Sequence, residues 1–118
     1  YLQEMDWHVD LASGEAGTFR PSGARKMGLL PSELFSRHFY GCFIDDVFGA
    51  RHIEAVGVDN VMLETDFPHT DSSYPHSLER ARENLAGYDE TIRYKVMQGN
   101  ARRVFDFEPA RVEPAVAR

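Results

Sequence analysis

The stretch that decides the fold is HFYGCFIDDVFGARHIEAVGVDNVMLET, residues 38–65. Its first seven residues are apolar at both alternating phases, which is typical of a strand covered on both faces in a parallel sheet. Apolar residues then recur every three positions from Val47 to Val56, a pattern that predicts a helix ending at Gly57. The residues VMLET (61–65) predict a second strand. A strand, a helix and a strand within about 30 residues predict a βαβ unit with parallel strands.

The sequence before this unit predicts two helices separated by a loop. Residues 1–9 carry apolar side chains at helical spacing. Residues 10–28 are rich in Gly, Ser and Pro and lack a sustained period, so they predict a loop or linker. PSELFSR (31–37) predicts a short helix, with Pro31 in the first turn.

The sequence after the unit predicts further helices and a tail. Ser77 and Asp89 are predicted N-caps of two helices. Gly99 is predicted to end the second of them, and Asn100 to cap a last short helix. Residues 108–118 contain proline without periodicity and predict a C-terminal tail.

Composition excludes several classes of function. The 118 residues suit one domain, and the net charge of −6 is spread along the chain without the basic cluster that nucleic-acid binding requires. No stretch approaches the ~20 apolar residues of a membrane span, and no signal peptide is apparent. Cys42 is the single cysteine and is predicted to be a small buried core residue. These features predict a cytoplasmic protein, and the first residue, Tyr1, indicates a chain processed, trimmed or cut from something longer.

Carboxylates follow both predicted strands. Asp45 and Asp46 end the first strand, and Asp66 ends the second. Catalytic groups of parallel α/β proteins collect at the carboxyl ends of the strands, and a rigid strand end can hold a ligand at the ~2.0–2.2 Å that a divalent cation requires. Asp66 is therefore the leading candidate for a metal ligand or general base. The alternative is that Asp66 caps the following loop by accepting backbone N–H groups.

Two histidines share a loop with Asp66. His69 and His76 lie there together with Asp71, but their spacing matches no helix-based zinc motif and disfavours a self-contained metal site. His69 is predicted to line a pocket. His38 is predicted to begin the first strand, away from the site. The remaining histidines show no partner in the sequence: His8 and His52.

The segment FYGCFIDDVFGARHIEAVGVDNVMLETDFPHTDSSYPHS (39–77), followed by QGNARRVF (98–105), resembles the last part of the amidohydrolase-2 family. These are metal-dependent TIM-barrel hydrolases and decarboxylases related to aminocarboxymuconate-semialdehyde decarboxylase. The resemblance covers roughly residues 29–107. It implies an α/β fold in which residues 1–107 form the C-terminal part of a TIM barrel, about two parallel strands with flanking helices.

The resemblance also implies the chemistry of the site. The two strands match the seventh and eighth of the barrel, and Asp66 matches the metal-binding aspartate of strand eight, beside a zinc, manganese or magnesium ion. Asp45 and His69 are then expected near the substrate. The family's H-x-H or E-x-H pair and its strand-five histidine are missing, and a catalytic zinc site needs three protein ligands. The chain is therefore expected to be inactive and not to hold the metal alone.

Three functional hypotheses follow. The first is a fragment of a hydrolase or carboxy-lyase for a small organic substrate, which pairs with the missing part of its barrel. The second is a non-catalytic α/β module that forms homo-oligomers or binds a partner through open strand edges. The third is an independent enzyme that uses Asp45, Asp66 and His69 with a metal of its own.

Overall fold

The computed structural model describes residues 1–11 and 28–110. Most of the predicted 10–28 loop and residues 111–118 of the predicted tail lie outside the described residues. The chain divides into two compact units, Tyr1–Tyr40 and Gly41–Arg118.

The described residues of the first unit form two helices, α1 (Leu2–Leu11) and α2 (Pro31–His38), as predicted. The backbone N–H of Ser32 in α2 donates to Asp6 Oδ1 of α1 at 2.8 Å, which links the two helices. The prediction that His38 begins a strand is wrong, because His38 is the last residue of α2. Arg37 precedes it in the same last turn, where a positive charge complements the negative end of the helix dipole.

The second unit contains the predicted βαβ arrangement. Strand β1 (Gly41–Phe43) pairs in parallel with β2 (Val61–Leu63), and Cys42 lies opposite Met62. The connection between them is two short helices, α3 (Val47–Arg51) and α4 (Ile53–Val56), where the sequence predicted one. The break falls at His52, whose ring Nδ1 lies 2.7 Å from the Phe48 carbonyl oxygen. That oxygen would otherwise accept the backbone N–H of residue 52.

The core of the second unit lies where these connecting helices meet the sheet and the C-terminal helices. Ile53 and Leu85 are fully buried and Val96 almost so. The prediction that Cys42 is buried is wrong, because its side chain is exposed. The sequence predicted cover on both faces of β1, whereas in the described residues only Phe43 of this strand enters the core. The other buried apolar residues in this cluster are Ala50 and Val61.

The C-terminal part of the unit is helical. It consists of α5 (Ser77–Asn84), α6 (Glu90–Tyr94), a π-helical turn (Lys95–Gly99) and α7 (Asn100–Phe105). Asp89 caps α6 as predicted, because its Oδ1 accepts the Ile92 N–H at 2.9 Å. Ser77 is not the N-cap of α5: it is the first helical residue, and its hydroxyl oxygen accepts a hydrogen bond from Ser73.

The predictions for Gly99 and Asn100 are wrong. The helix does not end at Gly99, whose backbone is helical, but runs on to Phe105. Asn100 is buried, and its amide donates to the carbonyl oxygens of Val58 at 2.7 Å and Val61 at 2.9 Å. The side chain therefore ties the C-terminal helix to the beginning of β2.

Candidate functional site

The carboxyl ends of both strands form one edge of the sheet, and acidic residues follow each of them. Asp45 lies two residues beyond β1, and Asp66 lies three residues beyond β2, in the loop that leads to α5. The backbone N–H of Glu64 donates to the Phe43 carbonyl at 3.0 Å, so the pairing continues one residue past β2. Parallel strands thus bring these carboxylates to the same edge, as the sequence predicted.

Asp66 forms a close pair with His69. Asp66 adopts a left-handed backbone conformation, with φ of 51°, and its carbonyl accepts the His69 N–H at 2.8 Å. This turn places His69 Nδ1 2.9 Å from Asp66 Oδ1. In the described residues the carboxylate is thus engaged by an imidazole, rather than by the backbone N–H groups that a loop cap would bind. The Asp66 side chain is 28% exposed and that of His69 is 72% exposed, so solvent and small ions can reach the pair.

Asp71 completes a cluster with this pair, which we call the loop cluster (Asp66, His69 and Asp71). One ligand atom from each residue lies within 4.8 Å of the others. Sequence spacing disfavoured such a group because the known spacings apply to helices. Here successive turns fold the loop on itself, and the Ser72 hydroxyl fastens it by donating to the Thr65 carbonyl at 2.6 Å. His76 contacts Glu79 instead, at 3.2 Å.

An open cleft of about 390 Å³ lies at this edge of the sheet, and we call it the acidic cleft. Asp45 lines it and is held in place by Asn84, whose Nδ2 donates to Asp45 Oδ1 at 2.8 Å. Asp71 belongs to both the cleft and the loop cluster. The remaining lining residues are Cys42, Phe43, Ile44, Asp46 and Glu64.

The predicted site residues therefore fall into two neighbouring groups. Asp66 and His69 belong to the loop cluster, and Asp45 belongs to the acidic cleft. Asp46 uses its carboxylate locally, because Oδ1 accepts the Phe48 N–H at 2.8 Å and caps α3. The roles predicted for Asp45, Asp66 and His69 in metal and substrate binding stay predictions.

Sequence reasoning missed two residues at this edge, Cys42 and Glu64, and it disfavoured a site with Asp71 because of the spacing in the loop. A hydrogen bond to Glu64, burial, and the negative charges of Glu64 and Asp66 together raise the pKa of the Cys42 thiol to about 11. The strand register holds the signal for this contact, since Cys42 pairs with Met62, two residues before Glu64. No pattern in the sequence indicated that Asp71 contacts Asp66, because only the folding of the loop brings the two carboxylates together.

The loop cluster has the donor atoms that a divalent cation binds. Carboxylate oxygen and imidazole nitrogen are ligands of zinc and manganese, and three protein ligands are the number found in catalytic zinc sites. The negative charges of the acidic cleft also favour a cation at this edge. The residues present therefore fit a divalent metal.

The amidohydrolase family model matches residues 11–107, a range that includes both strands and every helix described in the second unit. No curated protein matches the chain. Together with the parallel strands and their flanking helices, the family match confirms the predicted α/β fold class, part of a TIM barrel. In the described part of the chain, no helix is long and apolar enough to cross a membrane.

Proposed function

The chain belongs to the amidohydrolase family, and we propose that it contributes Asp66 to the metal site of a hydrolase or carboxy-lyase acting on a small organic molecule. The observation that supports this proposal best is the loop cluster, which brings the Asp66, His69 and Asp71 ligand atoms within 4.8 Å at the carboxyl edge of the sheet. In the complete enzyme, further ligands would come from barrel segments outside this sequence.

Each residue of the site has a distinct role in this proposal. A bound divalent cation would supply a water of lowered pKa, about 7 instead of 15.7, and would polarise the substrate. Asp66 would help to hold the cation and would serve as the proton acceptor of the site, and its partly exposed carboxylate can be reached for both roles. His69 holds the Asp66 carboxylate in position through the 2.9 Å contact.

The acidic cleft would receive the substrate. Asp45 lines this cleft, and Asn84 and Arg80 fix its carboxylate, with Arg80 Nε 3.7 Å from Oδ2. The other lining carboxylates make the cleft repel anions until a cation occupies the edge. Metal binding should therefore precede the binding of any negatively charged substrate.

The loop cluster also supplies three ligands from a single loop. We therefore propose that the chain binds a divalent cation by itself, against the expectation that it does not hold the metal alone. The affinity should be modest, because His69 and Asp71 are exposed and the loop must tighten around the ion.

Isothermal titration calorimetry with Zn²⁺ and Mn²⁺ tests this proposal. We expect one site per chain, and at least about tenfold weaker binding by Asp66→Asn, which removes one charged ligand. Asp89→Asn is the matched control, because it changes the net charge equally while an asparagine still caps α6. The proposal is wrong if Asp66→Asn binds like the unaltered chain, or if Asp89→Asn loses as much affinity.

A second candidate function, an oligomerising or partner-binding module, is favoured by exposed aromatic side chains. Phe48 is 71% exposed, Phe67 63% and Phe105 68%. Within the described residues, β1 and β2 also pair only with each other and leave one edge each open. Size-exclusion chromatography with light scattering distinguishes the candidates, since a monomer that binds one metal ion supports the enzyme fragment and contradicts the module.

A further inference from the structure

A second cleft in the Gly41–Arg118 unit lies on helices α5 and α6 and on the π-helical turn. Its volume is about 430 Å³, and it shares no lining residue with the acidic cleft. We propose that this cleft, which we call the arginine groove, binds a small organic carboxylate with an apolar body. The proposal is independent of the metal site.

The charges of the arginine groove favour a monoanion. Arg82 and Arg93 line it together with a single carboxylate, that of Glu90. The net charge of the lining is therefore +1, within a chain whose net charge is −6. A carboxylate balances this charge, whereas a phosphate dianion would leave an excess negative charge beside Glu90.

Arg93 offers donors that the protein itself uses only in part. Its Nε is buried and has no hydrogen-bond partner in the described part of the chain. Its Nη2 lies 3.1 Å from Glu90 Oε2, but the Glu90 side chain is 88% exposed, so this ion pair is weak. A ligand carboxylate that replaces Glu90 at Nη2–H would also bind Nε–H once the arginine side chain moves to uncover that buried atom. Arginine binds carboxylates most strongly in this bidentate arrangement.

One side of the groove is apolar, and its tyrosine ring is held in place. Leu78 is half exposed, Met97 is partly buried, and the Tyr94 ring lies beside them in the lining. The ring is fixed in two ways. It packs against Gly99, where an added Cβ would lie 2.8 Å from Tyr94 Cε1, and Arg102 Nη1 donates to its hydroxyl oxygen at 3.2 Å. A wall fixed before binding lowers the entropic cost of holding the apolar body of a ligand.

The backbone of the groove also indicates a binding role. Met97 and Gln98 both line it from the π-helical turn, Lys95–Gly99. Such turns are rare within α-helices and occur frequently at functional sites. Here the wider turn follows α6, which carries Arg93, and precedes α7. It presents the consecutive side chains of Met97 and Gln98 to the groove.

NMR titration with 4-phenylbutyrate tests the proposal, with 4-phenyl-1-butanol and inorganic phosphate as comparison ligands. We expect 4-phenylbutyrate to shift the Arg93 Nε–H resonance and the amide resonances of residues 94–98. Arg82→Gln should weaken binding about tenfold, the usual effect of losing one charged hydrogen bond. Glu90→Gln should tighten binding several-fold, because it removes the competing carboxylate. Arg51→Gln, an exposed arginine of α3 outside the groove, should leave the affinity unchanged.

Three results would overturn the proposal. Equal binding of the neutral alcohol would show that the guanidinium groups do not recognise the ligand. Equal or tighter binding of phosphate would show that the site is a general anion patch. Unchanged or weaker binding by Glu90→Gln would show that Glu90 does not compete for Arg93. A misfolded variant cannot imitate the expected result, since Glu90→Gln is predicted to gain affinity.

Discussion

Asn100→Ala should be among the most destabilising single substitutions in this chain. Asn100 is 1% exposed, and its amide donates to the carbonyl oxygens of Val58 and Val61. Each lost hydrogen bond costs about 1 kcal/mol, and leaving the buried Val61 carbonyl without a partner adds about 1–3 kcal/mol. Alanine regains roughly 0.5 kcal/mol through its higher helix propensity. The free energy of unfolding should therefore fall by about 2.5–4.5 kcal/mol.

Urea unfolding followed by circular dichroism measures this change. Asn84→Ala is the matched control, because it removes a hydrogen bond to Asp45 that is exposed and should cost less than about 1 kcal/mol. Asn100→Asp keeps the volume but places a buried carboxylate against the two carbonyl oxygens, so it should cost more than Asn100→Ala. If Asn100→Ala costs no more than Asn84→Ala, the two hydrogen bonds do not fasten the C-terminal helix to β2.

Three further predictions follow from single contacts. The pKa of the Cys42 thiol is raised to about 11 from an ordinary 9.0, so this thiol should react slowly with iodoacetamide at pH 8. Glu64→Gln should speed the reaction, because it removes the negative charge beside the thiol. A midpoint near pH 9 in the pH–rate profile of the unaltered chain would refute this prediction. Because the folded pKa is the higher one, the stability contributed by this thiol is present below pH 9 and is lost as the pH rises towards 11. Asp89→Ala should lower the free energy of unfolding by about 1 kcal/mol through loss of the α6 cap, with Asp89→Asn nearly neutral as its control. Gly57→Ala should cost more than about 1 kcal/mol in urea unfolding, because φ is 118° there and the new Cβ would lie 3.0 Å from Asn60 Oδ1; an unchanged midpoint would contradict the strain.

The parts of the fold that depend on local chemistry could be predicted from the sequence. The apolar run before Asp45 and the VMLET segment each predict a strand, and both strands form. The helical stretch between them predicts a parallel pair, which the structure confirms. Gly57 ends its helix because it adopts a positive φ, and Asp89 caps α6 because its carboxylate accepts an N–H three residues on. These interactions lie within a few residues of one another, so the sequence contains their full cause.

The parts that depend on distant contacts could not be predicted. Asparagine is a common N-cap residue, but the Asn100 amide donates to a carbonyl oxygen 42 residues away, and the helix continues through Asn100. Cys42 lies in an apolar run and was expected in the core, but the described residues leave its face of the strand uncovered. The spacing in the loop of Asp66, His69 and Asp71 matches no helix-based zinc motif, because turns and not helical periodicity bring their ligand atoms together.

The central claim is that the loop after β2 binds a divalent cation through Asp66. Paramagnetic broadening of amide resonances by substoichiometric Mn²⁺ tests it most directly, because the effect reports where the ion lies. The signals of residues 64–72 should disappear first in the unaltered chain and persist in Asp66→Asn. Broadening centred on another part of the chain, or broadening of residues 64–72 that Asp66→Asn leaves intact, would contradict the claim.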